Sequence, residues 1–519
     1  MAALHSAGCA ALFRLLSPRQ ILRSNHFRIS KTSHYGNTFC TNCGYHGQRS
    51  DVSVPRRYLG QPTPFTHKHL LKADEITPGI TRQEYMDRRT ALMSAVGRSF
   101  NGNSKHQVVV VLAADRKYMT DDIPYPFRQN SNFLYLTGFQ EPDSALVLES
   151  IPGRPLPEHK ATLFVQQRDP ERELWDGPRA GTEGALQFLG VDESQPTGEL
   201  SEKLHSLAHL QDLTAWYDVF KPANAVLHDE VKSSLVQPCR ARGHSVNILE
   251  NILHALRVLK SPAEQRLLRE SAGIAACAFK EVMSASRGGV NEADLYAQLS
   301  YSCLVRGAET LAYPPVIAGG NRANILHYTS NNQVVGAGEL LLMDVGCEYH
   351  GYASDVTRTW PVDGRFTGPQ SQLYRAVLAV QRSCIDMCTA GRTLDQVYHH
   401  MLLELGGCLQ ELGILPTGLA EWDLCKRTKQ YCPHHVGHYL GMDTHDTGRV
   451  SRSGQLQSGM VITVEPGLYI PESDSAVPAK YRGIGIRIED DVLITPDGPD
   501  VLSQDCPKEV EDIQGLMDK

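Results

Sequence analysis

The 519-residue chain has no uninterrupted apolar run of the roughly 18 residues that a bilayer-crossing helix needs, so no segment reads as a membrane span. It also lacks a basic block of the kind that tracks nucleic-acid phosphates. Its 51 Lys and Arg stand against 58 Asp and Glu, a formal net charge of −7, which argues against nucleic acid as a partner. Its 13 cysteines are odd in number and mostly scattered singly, which speaks against a secreted disulfide framework and for a reducing compartment. The first 50 residues contain no Asp or Glu, yet carry Arg14, Arg19, Arg23, Arg28, Lys31 and Arg49. Leu12, Phe13, Leu15, Leu16, Ile21 and Leu22 add an apolar side interrupted by arginine. That is the composition of a mitochondrial transit peptide over residues 1–50, and Arg14 and Arg19 break the apolar core that a secretory signal requires. The expected destination is the mitochondrial matrix, with a cytosolic pool as the alternative. Cys40 and Cys43 have C-x-x-C spacing but no partner pair, and they fall in this leader, so they read as incidental.

What is present is an ordinary globular composition, 41% hydrophobic and 21% charged, on a chain long enough for two or more domains. Residues 51–80, rich in Pro, Thr and His, read as a connecting arm. A helical pattern begins near Arg82 and runs through Met93. Val108–Ala113 reads as a buried strand, with further strands at Ala145–Glu149 and Ala161–Val165 around a Pro152-Gly153 turn. This alternation predicts a smaller α/β domain ending at a boundary between residues 240 and 248. Beyond it, Ile248–Leu268 reads as two helices separated at Ser261-Pro262, and Asn291 as the N-cap of a helix towards Arg306. Residues 339–360 read as two strands joined by a turn at Gly351, followed by helices over Gln370–Cys388 and Leu394–Leu412. No internal sequence repeat is visible.

Five residues in short motifs carry the chemistry. Asp344 and Asp355 lie in M-D-V-G-C-E-Y-H-G-Y-A-S-D-V-T-R-T-W, His438 in H-H-V-G-H-Y-L-G-M-D-T-H-D, Glu465 in V-I-T-V-E-P-G-L-Y and Glu489 in G-I-R-I-E-D-D. Four carboxylates and an imidazole form a hard, oxygen-rich set that suits Mn2+ and also accepts Co2+, iron or Zn2+. Because carboxylates bridge, five side chains are enough to hold two ions roughly 3.5–4 Å apart with a shared hydroxide. The pattern points to a hydrolase. Asp344 and Asp355 are 11 residues apart, an odd spacing that would put them on opposite faces of one continuous strand. Gly346, Gly351 and Ala353 between them predict instead a turn that brings two adjacent strands together. Arg487, two before Glu489, shares its face if that segment is a strand, where it can orient a carboxylate ligand.

In order and wording these motifs resemble the aminopeptidase P and prolidase branch of the pita-bread metallopeptidases, with methionine aminopeptidases as more distant relatives. Upstream, Arg128-Gln129-Asn130-Ser131-Asn132-Phe133, running into Tyr135-Leu136-Thr137-Gly138-Phe139, is similar to a stretch of the aminopeptidase P N-terminal domain. The resemblance spans roughly residues 70–510. It implies an α/β N-terminal domain over residues 81–243 and an α+β pita-bread catalytic domain, built of two related halves, over residues 244–519. It also implies two divalent ions. Asp344 would bind one, His438 and Glu465 the other, and Asp355 and Glu489 would bridge them. His327 and His434 would line the proline side of the substrate cleft and His445 would sit beside the scissile bond, with His435 as a competitor for the place of His434. Tyr469 would flank the substrate, and His445, Glu465, His327, His434 and Arg487 would form the catalytic group. The implied reaction releases the first residue of a peptide whose second residue is proline, carried out by a homodimer. A prolidase restricted to dipeptides shares all five ligands and stays open. Methionine aminopeptidase leaves the upstream domain unexplained, and a non-catalytic scaffold leaves the complete ligand set unexplained.

Overall fold

The computed structural model describes residues 54–99, 106–220 and 222–518; the acid-free leader, with Cys40 and Cys43, lies outside them. In the N-terminal half, six strands lie in the order Glu193–Pro196, His159–Val165, Ala145–Ser150, His106–Leu112, Leu213–Trp216, Ser245–Asn247. The middle three run antiparallel and the flanking ones join them parallel. The apolar run at 108–111 is explained by burial on both faces. Val109 and Val111 pack with Leu92 and Val96 of the helix Arg82–Ser99, whereas Val108 and Val110 pack with Leu200 and Leu204 of the helix Leu200–Ala208.

Two expectations need correction here. The strand Ser245–Asn247 completes this sheet, so a division at residues 243/244 falls one strand early. The stretch expected to be a connecting arm is packed down. Gln61 donates to the Gly138 carbonyl at 3.0 Å and Arg57 to the Arg179 carbonyl at 2.7 Å, and the strands Glu75–Thr77 and Ile80–Thr81 pair within it. Its Pro, Thr and His content hid these contacts, because they are long-range bonds to backbone carbonyls that no local pattern encodes.

The helix Pro262–Ala285 starts where its sequence says it should. Ser261 Oγ accepts from the Glu264 amide at 3.2 Å, the Glu264 carboxylate accepts from the Ser261 amide at 2.8 Å, and Pro262 takes the first helical position. It extends well past the expected end at Leu268, because Ala272, Ala275, Ala276, Phe279, Val282 and Met283 continue its buried face. Glu292–Val305, Gly368–Met387 and Leu394–Glu411 supply further helices, close to the expected ranges.

Against these helices lie two small antiparallel sheets. One is Val316–Gly319, Leu340–Val345 and Val356–Pro361; the other is Val461–Val464, Asp490–Thr495 and Gly498–Val501. A bridge between Thr357 and Glu489, with the Glu489 amide donating to the Thr357 carbonyl at 3.0 Å, joins them edge to edge. Behind the join sits a buried charge cluster. Arg358 and Asp490, both fully buried, pair at 2.7 Å, and Lys508 and Gln381 also reach Asp490. Burial alone would raise the Asp490 pKa, but Arg358 and Lys508 hold it down to about 2. Asp490→Asn leaves the Arg358 guanidinium buried without its counter-charge, and we expect a loss of about 3–5 kcal/mol. The readout is the urea midpoint at unchanged m-value; a change within experimental error would show that Lys508 and Arg358 find other partners.

Candidate metal centre

Each of the four acidic candidates sits at the end of a strand. Asp344 is next to last in Leu340–Val345, Asp355 directly precedes Val356–Pro361, Glu465 directly follows Val461–Val464 and Glu489 directly precedes Asp490–Thr495. The two sheets therefore contribute two carboxylates each, and the Thr357–Glu489 bridge brings them face to face. The expected single turn between Asp344 and Asp355 is more elaborate. A separate hairpin, Cys347–Tyr349 with Tyr352–Ala353, interrupts the pair and turns at His350 and Gly351, both at positive φ. The ladder resumes with Asp344 opposite Thr357. Gly346 makes this possible, since a Cβ there would stand 1.6 Å from the Ser354 carbonyl oxygen. The odd spacing of the two aspartates is absorbed by this excursion.

His438 arrives on a segment that lies along Val461–Val464. Its carbonyl accepts from the Thr463 amide at 2.9 Å, and the Glu465 amide donates to the Val436 carbonyl at 2.8 Å. Gly437 allows the contact, because a Cβ there would lie 1.9 Å from the Thr463 carbonyl oxygen. His438 Nδ1–H donates to the Tyr439 carbonyl at 3.1 Å, which leaves Nε2 facing the carboxylates, 3.4 Å from Asp355 and 3.7 Å from Glu465. Asp355, His438 and Glu489 present ligand atoms within 4.8 Å of one another. Asp344 is tied to Asp355 through Tyr313, whose hydroxyl lies within hydrogen-bond distance of Oδ1 of each and shares its one proton between them.

The electrostatics test whether this set suits cations. Burial raises the Glu489 pKa well above the usual carboxylate range, and Asp355, Glu465 and Asp344 raise it further. Burial lifts Glu465 to about 7 even though His438 and Arg487 pull the other way. For His438 burial would lower the pKa, but Asp355 and Glu465 more than offset it, to about 9. Glu489, Glu465 and Asp344, each raised by burial and by neighbouring carboxylates, converge with Asp355 on one cleft, a set that divalent cations neutralise, so these residues fit the metal ions their motifs imply.

The surrounding cleft has a volume of about 710 Å³ and is lined by all five candidate ligands together with His327, His434, His445 and Arg487. His327 and His445 are exposed at its mouth, and the His445 ring stands edge-on to His438 with centroids 4.3 Å apart. Burial and the neighbouring His438 lower the His445 pKa. His434, not His435, faces the cleft; the His435 ring stacks on Tyr398 with centroids 4.3 Å apart. Arg487 reaches Asp344 Oδ2 at 2.5 Å, although its strand, Gly485–Arg487, ends before Glu489, so the single strand expected to carry both residues is not formed.

Tyr469 is placed differently from its expected role beside the substrate. It is buried outside the cleft wall, where its oxygen accepts from Arg487 Nη1 at 2.8 Å and its hydroxyl donates to His434 Nε2 at 2.9 Å. Its position four residues after Glu465 puts it on the strand Gly467–Tyr469, whose partner strand Gly485–Arg487 carries Arg487. It thereby orients two residues of the wall.

Sequence reasoning missed several contributors. Tyr313 had no signal beyond standing before Pro314-Pro315. Thr357 donates to Glu489 Oε2 at 2.5 Å, and Asp491 accepts from the Asp355 amide at 3.2 Å; both stand next to motifs that were read only for their ligands. Arg128, part of the upstream motif, enters the cleft and binds Glu348 at 2.7 Å and the Met442 carbonyl at 2.6 Å. The N-terminal domain thus closes one end of the site.

Comparison with known proteins agrees with this architecture. The description "Metallopeptidase family M24" matches residues 266–496, and "Aminopeptidase P, N-terminal domain" matches residues 85–216. The chain is 51% identical to human Xaa-Pro aminopeptidase 3 over 89% of its own length and 91% of that protein's. It is 38% identical to the Arabidopsis thaliana mitochondrial intermediate cleaving peptidase 55, over 89% and 88% of the two chains. A solved structure of zinc-substituted E. coli aminopeptidase P in complex with product superposes with a TM-score of 0.76 at 34% identity, over 84% of this chain and 98% of that one.

Two predictions follow from the geometry. Gly346→Ala forces Ser354 away and separates Asp344 from Asp355, so divalent-ion affinity should fall by more than about 10-fold while the circular dichroism spectrum is retained. Unchanged affinity would show that the two aspartates do not act together. In the metal-free protein, with His438 near about 9 and Glu465 near about 7, both must release protons to bind a cation. Affinity measured by titration calorimetry should therefore rise as pH increases through about 7 towards about 9, with proton release to the buffer. A flat profile would contradict the assignment of His438 and Glu465 as ligands.

Proposed function

The chain belongs to the M24 metallopeptidases, in their aminopeptidase P branch, and from that premise we propose that it removes the N-terminal residue from peptides whose second residue is proline. The observation that carries this reading is the convergence of five ligands and three histidines on one cleft, closed at one end by Arg128 of the N-terminal domain. Asp344, Asp355, His438, Glu465 and Glu489 would hold two divalent ions in the cleft, Mn2+ by preference with Co2+ or Zn2+ as substitutes. Metal ions held there would supply a hydroxide near neutral pH and a Lewis-acid contact for the scissile carbonyl.

The chain's own residues do the rest. Asp344, held by Arg487, receives the free α-amine of the peptide, which fixes cleavage at the first bond. A bond to proline is a tertiary amide with no N–H to offer, so a general peptidase loses a contact that a pocket shaped for the ring regains. His327 and His434 frame that pocket. Burial and Arg487 lower the His434 pKa to about 4, so it stays neutral and accepts the Tyr469 hydroxyl. His445, likewise kept neutral, donates an N–H to the carbonyl oxygen as charge develops on it. Glu465, 3.8 Å from His434 and 3.7 Å from His438, is the group to which we assign proton transfer towards the departing proline nitrogen.

The acid-free first 50 residues and the Arabidopsis relative's mitochondrial designation support a mitochondrial site of action. A homodimer is the proposed assembly. Leu174 and Trp175, each 81% exposed, are apolar side chains of the kind a second copy covers.

Purified protein loaded with manganese and offered Xaa-Pro-Xaa, Xaa-Pro and Xaa-Ala-Xaa should release the first residue from Xaa-Pro-Xaa alone or fastest, and chelator should abolish it. Cleavage confined to the dipeptide would make the protein a prolidase, and no cleavage with metal bound would make it a binding scaffold.

A further inference from the structure

Two histidines stand side by side in the turn before His438, and only His434 faces the cleft. His435 is turned onto the helix Leu394–Glu411, where its ring lies on that of Tyr398 with the planes 25° off parallel. Lys429 Nζ also lies over the Tyr398 ring, 5.2 Å from its centroid. On the same helix Asp395 Oδ1 stands 3.4 Å from His435 Nε2, and His435 Nδ1–H donates to the Gly437 carbonyl at 3.2 Å. None of Tyr398, Asp395, Lys429 and Gly437 lines the cleft.

The main chain joins this outer contact to the chemistry. The His435 carbonyl accepts from His434 Nδ1–H at 2.8 Å, which leaves His434 Nε2 as the acceptor for the Tyr469 hydroxyl. Glu465 Oε2 is a second acceptor near Nδ1, at 3.8 Å. Displacing the His435 carbonyl would release the His434 proton towards Glu465 and turn the ring away from Tyr469. His438, at the far end of the turn, is held separately. Its amide donates to Thr463 Oγ1 at 3.2 Å, and its carbonyl accepts from the Thr463 amide.

We infer that His435 is a positioning residue for the proline pocket: stacked on Tyr398, it fixes the carbonyl that sets the tautomer and direction of His434. This role rests on the aminopeptidase reading, in which His434 frames that pocket. A side chain that never touches the substrate thereby governs how well proline is received. Its removal weakens substrate binding without loosening the metal centre.

The test compares the full chain with its His435→Ala, His435→Phe and Tyr398→Leu variants. The readouts are KM and kcat for Ala-Pro-Ala with manganese, Mn2+ affinity by titration calorimetry, and the ring-nitrogen NMR shifts of His434 in the zinc-loaded protein. Phenylalanine keeps the ring stack; His435→Ala and Tyr398→Leu remove it from opposite sides. In those two, KM should rise about tenfold, with kcat and Mn2+ affinity within about twofold of wild type. His435→Phe should stay within about twofold on all three. The His434 nitrogens should report the Nδ1–H tautomer in wild type and His435→Phe, and lose it in the other two. A parallel loss of Mn2+ affinity would mean that His435 only stabilises the turn as a whole. A loss in His435→Phe equal to that in His435→Ala would mean that the stack does not set the carbonyl. Either result overturns the role. If His435→Ala does not fold, Tyr398→Leu carries the comparison. If the wild-type protein leaves Ala-Pro-Ala intact, the aminopeptidase reading fails, and the His434 tautomer alone decides the role of His435.

Discussion

Everything in the catalytic half is arranged around mutual repulsion among four carboxylates, Asp355 and Glu489 buried and Asp344 and Glu465 half-buried. Placed separately, Asp344, Asp355, Glu465 and Glu489 would each be unremarkable surface acids. Brought to the facing ends of two small sheets, they crowd negative charge into one cleft, where burial and neighbouring carboxylates raise the pKa of Asp344, Glu465 and Glu489, and the group suits divalent cations. The fold maintains that opposition at a cost. Gly346 and Gly437 let backbones approach more closely than any side chain would allow, and the Arg358–Asp490 pair fixes the sheets from behind. Tyr469 and Arg487 then orient the wall so that Asp344 and His434 face inward.

The same logic explains why an N-terminal domain is attached to a metal site that it does not ligate. Arg128, Ser131 and Asn132, all from one short motif, reach across to Glu348, Asp443 and Arg257. Asp443 and Asp446 in turn bracket His445. The loop with the exposed histidine is therefore clamped by charges from both halves of the chain, and the open side of the cleft is shaped by residues more than 100 positions away in sequence.

Much of this was legible beforehand. The five candidate ligands could be read because each sits in a motif with its own local grammar, and Arg487 because it stands two residues before Glu489, although its strand ends before that residue. Helix starts at Ser261 and Asn291 were readable because capping is local. The hairpin at Cys347–Ala353 was not, since its turn residues resemble those of the simpler turn expected there. Nor were Tyr313 or the true place of Tyr469, whose roles depend on which side chains lie across the cleft. The packed course of residues 54–81 escaped for the same reason. Local pattern shows where chemistry is carried, whereas tertiary contact decides which neighbour turns a side chain toward the site or behind it.

We propose that these carboxylates hold two ions and not one. Anomalous diffraction from crystals of the manganese-loaded protein, recorded on both sides of the manganese edge, tests it most directly. Two peaks roughly 3.5–4 Å apart are expected, with Asp355 and Glu489 beside both and His438 beside one. A single peak, or two that share no carboxylate, would contradict it.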